Sequence, residues 1–288
     1  MLNRLLKNIR YLYYNSHSRV GGNIVLKKGW IPDFSGMTSI NNRHHKKGFS
    51  IVEIAVTLVI SSIIYVGFLG FFLNLTKLNK EKTTIEKLNQ IVEAIGQYVR
   101  QNGYIPCPAS RIDTLNSSNL GLPTNCTLSS ATGTTDITVS ASTLRIGAIP
   151  VAVLNLDKNT IFDGWTNRFT YIAVKELSTT QNSFKTYAAT SGGPFIIRDK
   201  NANQVNISDD VGYIIISHGE KGYGSYNVNG TQVKACGTTL ESENCNNDNI
   251  FINSKYYGTE NALYYDDIMR WKTRSRLIKS NNLAIALP

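Results

Sequence analysis

Proline is scarce in this chain, and one long stretch has none at all. Only 7 of the 288 residues are proline, and none lies between Phe49 and Asn102. Because proline interrupts helices, its absence leaves room for a single helix of about 80 Å. Gly103 and Pro106 follow at once and form a helix stop signal.

Histidine is rarer still: the chain has four, and only His218 comes after residue 48. The neighbouring Ser217 is a poor catalytic partner for it, because adjacent side chains on a strand point to opposite faces. The glycines after His218 do not open a helix, so they do not form a phosphate-binding loop. We therefore expect no enzyme active site, no cofactor and no metal site.

Excess charge of one sign is confined to the beginning of the chain. Residues 1–48 carry nine Lys/Arg and one Asp, whereas the remainder carries 21 Lys/Arg and 19 Asp/Glu. Because residues 49–288 are nearly neutral, they lack the clustered positive charge on which nucleic-acid binding depends. A basic segment before an apolar one instead predicts that this end of the chain stays in the cytoplasm.

An apolar run follows the basic segment. After two lysines and Gly48, almost unbroken apolar residues extend from Phe49 to Leu73. A run of about 20 such residues is long enough to cross a bilayer as a helix. Glu53 lies inside it, where an ionisable residue costs a few kcal/mol and normally has a partner. A small residue at the boundary suits a peptidase, although secretory signal peptides are cut after their apolar region.

The segment GFSIVE, residues 48–53, resembles the processing site of type IV prepilins and type II secretion pseudopilins. The resemblance implies that a prepilin peptidase cuts after Gly48 and methylates the new N-terminus at Phe49. It also implies that Glu53, the fifth residue of the mature chain, takes part in subunit assembly.

On this resemblance we expect a structural subunit rather than an enzyme. Residues 49–288 make a long mature chain, which favours a minor pseudopilin of a type II secretion system. The expected partners are the prepilin peptidase, other pilin or pseudopilin subunits, the inner-membrane assembly platform and membrane lipid. The alternatives are a minor pilin of a type IV pilus, and a periplasmic enzyme or binding module held by a plain signal anchor.

The sequence divides into four parts. Residues 1–48 are a cytoplasmic leader, 49–73 the transmembrane half of the helix, 74–103 its amphipathic half, and 104–288 a periplasmic β-rich domain. Within the leader, residues 18–38 resemble a translated repeat element. Met37 offers a second start, so we expect residues 1–36 to remain untranslated.

The second half of the helix has a pattern that predicts packing. Apolar residues recur at a spacing of three and four from Ile85 to Val99, which gives the helix an apolar face. We expect an α+β fold in which the long N-terminal helix packs on an antiparallel sheet, as the pilin resemblance implies. Strands are predicted at Ile146–Leu154, Arg168–Val174, Phe195–Arg198 and Val211–Ser217, and Tyr264–Ile278 as a strand or a closing helix.

Four cysteines lie at positions 107, 126, 236 and 245, all after the apolar run. An even number in an exported domain predicts disulfides, and four cysteines allow three pairings. Short loops favour Cys107–Cys126 and Cys236–Cys245. Neither spacing matches a zinc site.

The segment DGWTNRFTY, residues 163–171, resembles the Asp-Pro-Trp-Gly-Asn-Pro-Tyr motif of major pseudopilins. Gly164 stands in place of the proline and Thr166 in place of the glycine. In those relatives a nearby loop binds calcium. Oxygen ligands could come here from Glu243, Asn246, Asn247 and Asp248. We nevertheless expect a solvated polar loop, ordered by the adjacent disulfide and without a metal.

Overall fold

The computed structural model describes residues 48–179, 184, 193–199, 206–208, 210–255 and 263–280, without the side chains of 206–208 and 280. Most of the predicted leader, including the start expected at Met37, lies outside the described residues. By its internal contacts the chain divides into two compact units, residues 1–57 and 58–288. The division falls within the first helix.

The first helix, α1, comprises Ile51–Asn102 and contains 52 residues. It ends at the predicted stop signal, where the Gly103 N–H donates to the Val99 carbonyl and Gly103 adopts a left-handed φ of 75°. Among the described residues it is the one helix long and apolar enough to cross a membrane. None of its most apolar segment is buried, so that segment needs lipid or other helices around it.

The second half of α1 buries the predicted apolar face. Its buried residues are Thr84, Leu88, Ile91, Ala94, Ile95 and Val99. The five apolar members of this set belong to the same hydrophobic core as the sheet residues. Thr84 was not part of the prediction because it is polar; its hydroxyl donates to the Lys80 carbonyl at 2.8 Å.

Eight strands in the described residues form two sheets. The larger sheet has the order β1-β2-β3-β6-β8 and is antiparallel throughout. The smaller has the order β5-β4-β7, in which β4 and β7 are parallel, contrary to the expectation of antiparallel pairing. The strands are β1 (Thr135–Val139), β2 (Ser142–Ala148), β3 (Thr170–Val174), β4 (Ile196–Arg198), β5 (Asn206–Ser208), β6 (Val211–Ser217), β7 (Ile250–Ile252) and β8 (Ile268–Thr273).

One predicted strand differs clearly from the structure. The strand expected at Ile146–Leu154 begins earlier, at Ser142, and ends at Ala148, after which the chain continues as turns. Pro150 explains this end, because proline cannot donate to a sheet ladder and its carbonyl accepts from the Leu154 N–H in the turn. The C-terminal segment contains both predicted elements, since β8 is followed directly by a short helix, α2 (Arg274–Ser280).

Candidate functional site

The beginning of α1 is closed by a capping box. The Ser50 hydroxyl accepts from the Val52 N–H at 3.3 Å, and the Glu53 carboxylate accepts from the Ser50 N–H at 3.0 Å. These reciprocal bonds satisfy backbone donors that the first helical turn leaves without partners. Glu53 therefore has a hydrogen-bond partner within its own chain, which the sequence prediction did not include.

Gly48 and Phe49 lie directly before this cap and outside the helix. Both are exposed, and 81% of the Phe49 surface is accessible. A Cβ atom placed on Gly48 would meet nothing within 4 Å. The described residues therefore give no steric reason for glycine at this position.

Both predicted disulfides are present in the structure. Cys107 is bonded to Cys126 with their Cα atoms 5.8 Å apart, and Cys236 to Cys245 with theirs 5.7 Å apart. The first links the segment after α1 to the loop that follows it. The second closes a loop that contains the 3₁₀ turn Leu240–Asn244.

The segment that resembles the pseudopilin motif forms a turn organised by Asp163. One carboxylate oxygen accepts from the backbone N–H groups of Trp165 and Asn167, each at 2.8 Å, and the other accepts from the Ser217 hydroxyl at 2.7 Å. Burial raises the pKa of Asp163 to about 6, although these hydrogen bonds oppose the shift. The carboxylate thus ties the turn to the end of β6.

Gly164 attaches this turn to α1. Its N–H donates to the hydroxyl of the fully buried Thr84 at 2.9 Å, and a Cβ atom here would overlap the Lys80 carbonyl. Proline, which stands at this position in the motif, has a ring and no N–H. The departure from the motif at Gly164 therefore has a physical reason, namely close contact with the helix backbone.

His218 is buried and takes no part in a serine–histidine pair. Its Nε2 lies 2.9 Å from the Thr170 hydroxyl, while the hydroxyl of Ser217 points to Asp163 on the other side of β6. Burial and the nearby Arg111 charge lower the pKa of His218 to about 4. The imidazole is therefore neutral near pH 7.

The structure brings together three buried acids that the sequence did not place together. Ligand atoms of Glu241, Asp266 and Asp267 all lie within 4.8 Å of one another. One oxygen of each carboxylate is held by a donor. The Asp266 N–H donates to Glu241 at 3.2 Å, the Tyr264 hydroxyl to Asp266 at 2.8 Å, and the Asn244 amide to Asp267 at 2.7 Å.

The remaining oxygens of this acidic cluster are poorly satisfied. Glu241 Oε1 and Asp266 Oδ1 are buried and accept from no N–H or hydroxyl donor, but the two carboxyl groups can share a proton. Asp267 Oδ1 lies 3.8 Å from His218 Nδ1. Burial, with the neighbouring Asp266 charge, raises the pKa of Glu241 to about 8. Burial and the Glu241 charge also raise the pKa of Asp267 well above its usual range.

Among the described residues, the acidic cluster gathers three carboxylates, whereas the polar run of Glu243, Asn246, Asn247 and Asp248 was expected to be a solvated loop without a metal. Calcium takes six to eight oxygen ligands, and the cluster contains three carboxylates. One oxygen of each carboxylate accepts a hydrogen bond, as is usual for carboxylates that bind metals. Asp266 and Asp267 also line a cavity of about 180 Å³. In the polar run, the Asn246 amide instead donates to Glu243 and Asp248, each at 2.9 Å.

Comparisons of the chain with protein-family models, with curated proteins and with solved structures find no match.

Proposed function

We propose that this chain is a pilin-like structural subunit, a minor pseudopilin of a type II secretion system. A prepilin peptidase cuts it between Gly48 and Phe49 and methylates the new N-terminus. The mature subunit is held in the inner membrane by α1, with its N-terminus at the cytoplasmic side and its globular domain in the periplasm. It then joins other subunits of a pseudopilus through the assembly platform.

The observation that carries this proposal is the arrangement of residues 48–53. An exposed glycine stands immediately before a capped helix, the helix is apolar and exposed, and an acid occupies its fifth mature position. A plain signal anchor needs only the apolar helix. It needs neither a glycine that the fold does not require nor Glu53.

The rest of the chain supports the same proposal. A long helix whose second half packs on an antiparallel sheet is the arrangement expected for a pilin-like subunit. Two disulfides are typical of a domain that folds in an oxidising compartment such as the periplasm. The apolar half of α1 remains exposed in the single chain and would be covered by lipid before assembly and by neighbouring helices afterwards.

Substitution of Gly48 provides a direct test. Gly48→Val should block cleavage in cells with an active prepilin peptidase, because a branched side chain occupies the peptidase's small-residue position. Folding should be unaffected, since nothing lies within 4 Å of a Cβ at this site. The matched control is Gly67→Val, in the apolar half of α1, where a Cβ also meets nothing within 4 Å.

The readout is the N-terminal peptide of the membrane-extracted protein. We expect wild type and Gly67→Val to begin at Phe49 and Gly48→Val to retain its leader. Cleavage of Gly48→Val at the wild-type rate would show that Gly48 is not the recognition residue, and the proposed function would lose its main support.

A further inference from the structure

A second cavity of about 180 Å³ lies over one face of the larger sheet. Thr135, Ile146 and Ile172 line it, and they are cross-strand neighbours on β1, β2 and β3 whose side chains share that face. The other walls come from the chain after β6, including Gln232, and from the end of the Cys236–Cys245 loop. A cavity of about 150 Å³ can hold benzene, so this one has room for a small organic ligand.

Arg111 contributes a positive charge to this cavity. Its guanidinium donates to the Thr135 hydroxyl at 2.7 Å and lies over the Tyr226 ring, 5.1 Å from the ring centroid. Both partners are neutral, and the buried Nε atom has no hydrogen-bond acceptor among the described residues. In the described part of the chain, Arg111 forms no ion pair with a carboxylate.

The fold treats another buried arginine differently. Arg145 donates to both carboxylate oxygens of Asp136, so its charge is compensated within the chain. At the Arg111 cavity, none of the described lining residues is acidic. His218 lines the cavity but is neutral near pH 7 and adds no charge.

Burial makes the Arg111 charge unfavourable. It lowers the pKa of Arg111, because desolvation opposes the charged form. An arginine nevertheless keeps its charge at neutral pH. The cavity therefore presents one net positive charge to a ligand.

We propose that this cavity binds a small monocarboxylate, whose carboxylate pairs with Arg111 and whose carbon chain contacts Ile146 and Ile172. A planar guanidinium is well suited to a carboxylate, and one negative charge balances the single guanidinium. A divalent oxyanion would instead leave one charge buried without a partner. The proposal does not depend on the pilin-like function, so its test is separate from that of cleavage at Gly48.

The first experiment needs no variant. Wild type, purified in detergent, is titrated by calorimetry at constant ionic strength with sodium propionate and separately with propionamide and with sodium sulfate. Propionamide has the same carbon chain as propionate but no charge, and sulfate carries two charges and no carbon chain. We expect one propionate to bind per chain, at least about tenfold more tightly than either control compound.

Three results of this titration would overturn the proposal. If propionate does not bind, the cavity is not a carboxylate site. If propionamide binds as tightly as propionate, the charge of Arg111 does not recognise the ligand. If sulfate binds more tightly than propionate, the ligand is not a monocarboxylate.

The second experiment tests the role of the Arg111 charge with variants. Arg111→Met removes the charge and should weaken propionate binding at least about tenfold. The matched control is Lys234→Met, which removes an exposed positive charge that does not line the cavity, and it should bind propionate like wild type.

A further variant applies even if Arg111→Met fails to fold. Gln232→Glu keeps the guanidinium and adds a carboxylate at an exposed residue of the cavity wall. That carboxylate would supply a counter-ion from the chain itself, so propionate binding should again weaken at least about tenfold. Wild-type affinity for propionate in Arg111→Met or in Gln232→Glu would contradict the role assigned to the Arg111 charge.

Discussion

Glu53→Gln should enter the assembled fibre as poorly as Glu53→Ala, although glutamine can preserve the helix cap. After the proposed cleavage, Phe49 would carry a new α-amine four residues before Glu53 in an apolar setting. A carboxylate left unpaired there costs a few kcal/mol, so a pair with the amine of the same or a neighbouring subunit favours packed helices. Both substitutions remove the charge and should lower incorporation at least about tenfold.

A matched control separates the charge from the cap. Ser50→Ala removes the hydroxyl that accepts from the Val52 N–H but leaves the Glu53 carboxylate and the Ser50 N–H that it binds. The Ser50→Ala substitution should lower helix stability by about 1 kcal/mol. The variant should nevertheless be incorporated into the fibre about as well as wild type. The measurement is recovery in crosslinked or sheared fibre fractions relative to the membrane level. If Glu53→Gln assembles like wild type while Glu53→Ala does not, Glu53 acts through the cap and the role of its charge is refuted.

Arg145→Met should lower the free energy of unfolding by about 3 kcal/mol, by removing one partner of a buried ion pair. Arg145 is fully buried, and its guanidinium donates to both carboxylate oxygens of Asp136 at 2.7 Å. It also donates to the carbonyls of Asn125 and Leu128, which lie beside Cys126. Although burial opposes it, hydrogen bonds from Arg145 and Lys175 lower the pKa of Asp136, so this carboxylate is charged at neutral pH.

The exposed ion pair of Lys82 and Glu86 serves as the control for this prediction. Lys82 Nζ lies 3.9 Å from Glu86 Oε1, and the two side chains are 77% and 65% exposed. Lys82→Met should therefore change the free energy of unfolding by less than about 0.5 kcal/mol. Urea unfolding of the full chain in detergent, followed by tryptophan fluorescence, compares the two variants. An Arg145→Met effect no larger than that of Lys82→Met would show that the buried network contributes nothing to stability.

The sequence predicts those features that depend on neighbours along the chain. The long helix follows from the missing proline and the spacing of its apolar residues, and its end from Gly103. The two disulfides follow from short loops. β6 occupies the predicted range Val211–Ser217, because its residues are buried and apolar on both faces.

The features that could not be predicted depend on contacts between distant segments. Glu241 and Asp267 are brought together only by the disulfide loop and β8, and no local pattern marks them as a pair. The reason for Gly164 is the backbone of α1, some eighty residues earlier. The helix cap is different, since Ser50 followed three residues later by Glu53 is a capping-box signature that the sequence itself contains.

The intact mass of the membrane-extracted protein tests the central proposal most directly. In a host with an active prepilin peptidase, the mass should correspond to a chain that begins at Phe49, carries one additional methyl group and contains two disulfides. A mature protein that retains Lys46 or Lys47 would contradict the assignment to pilin-like subunits.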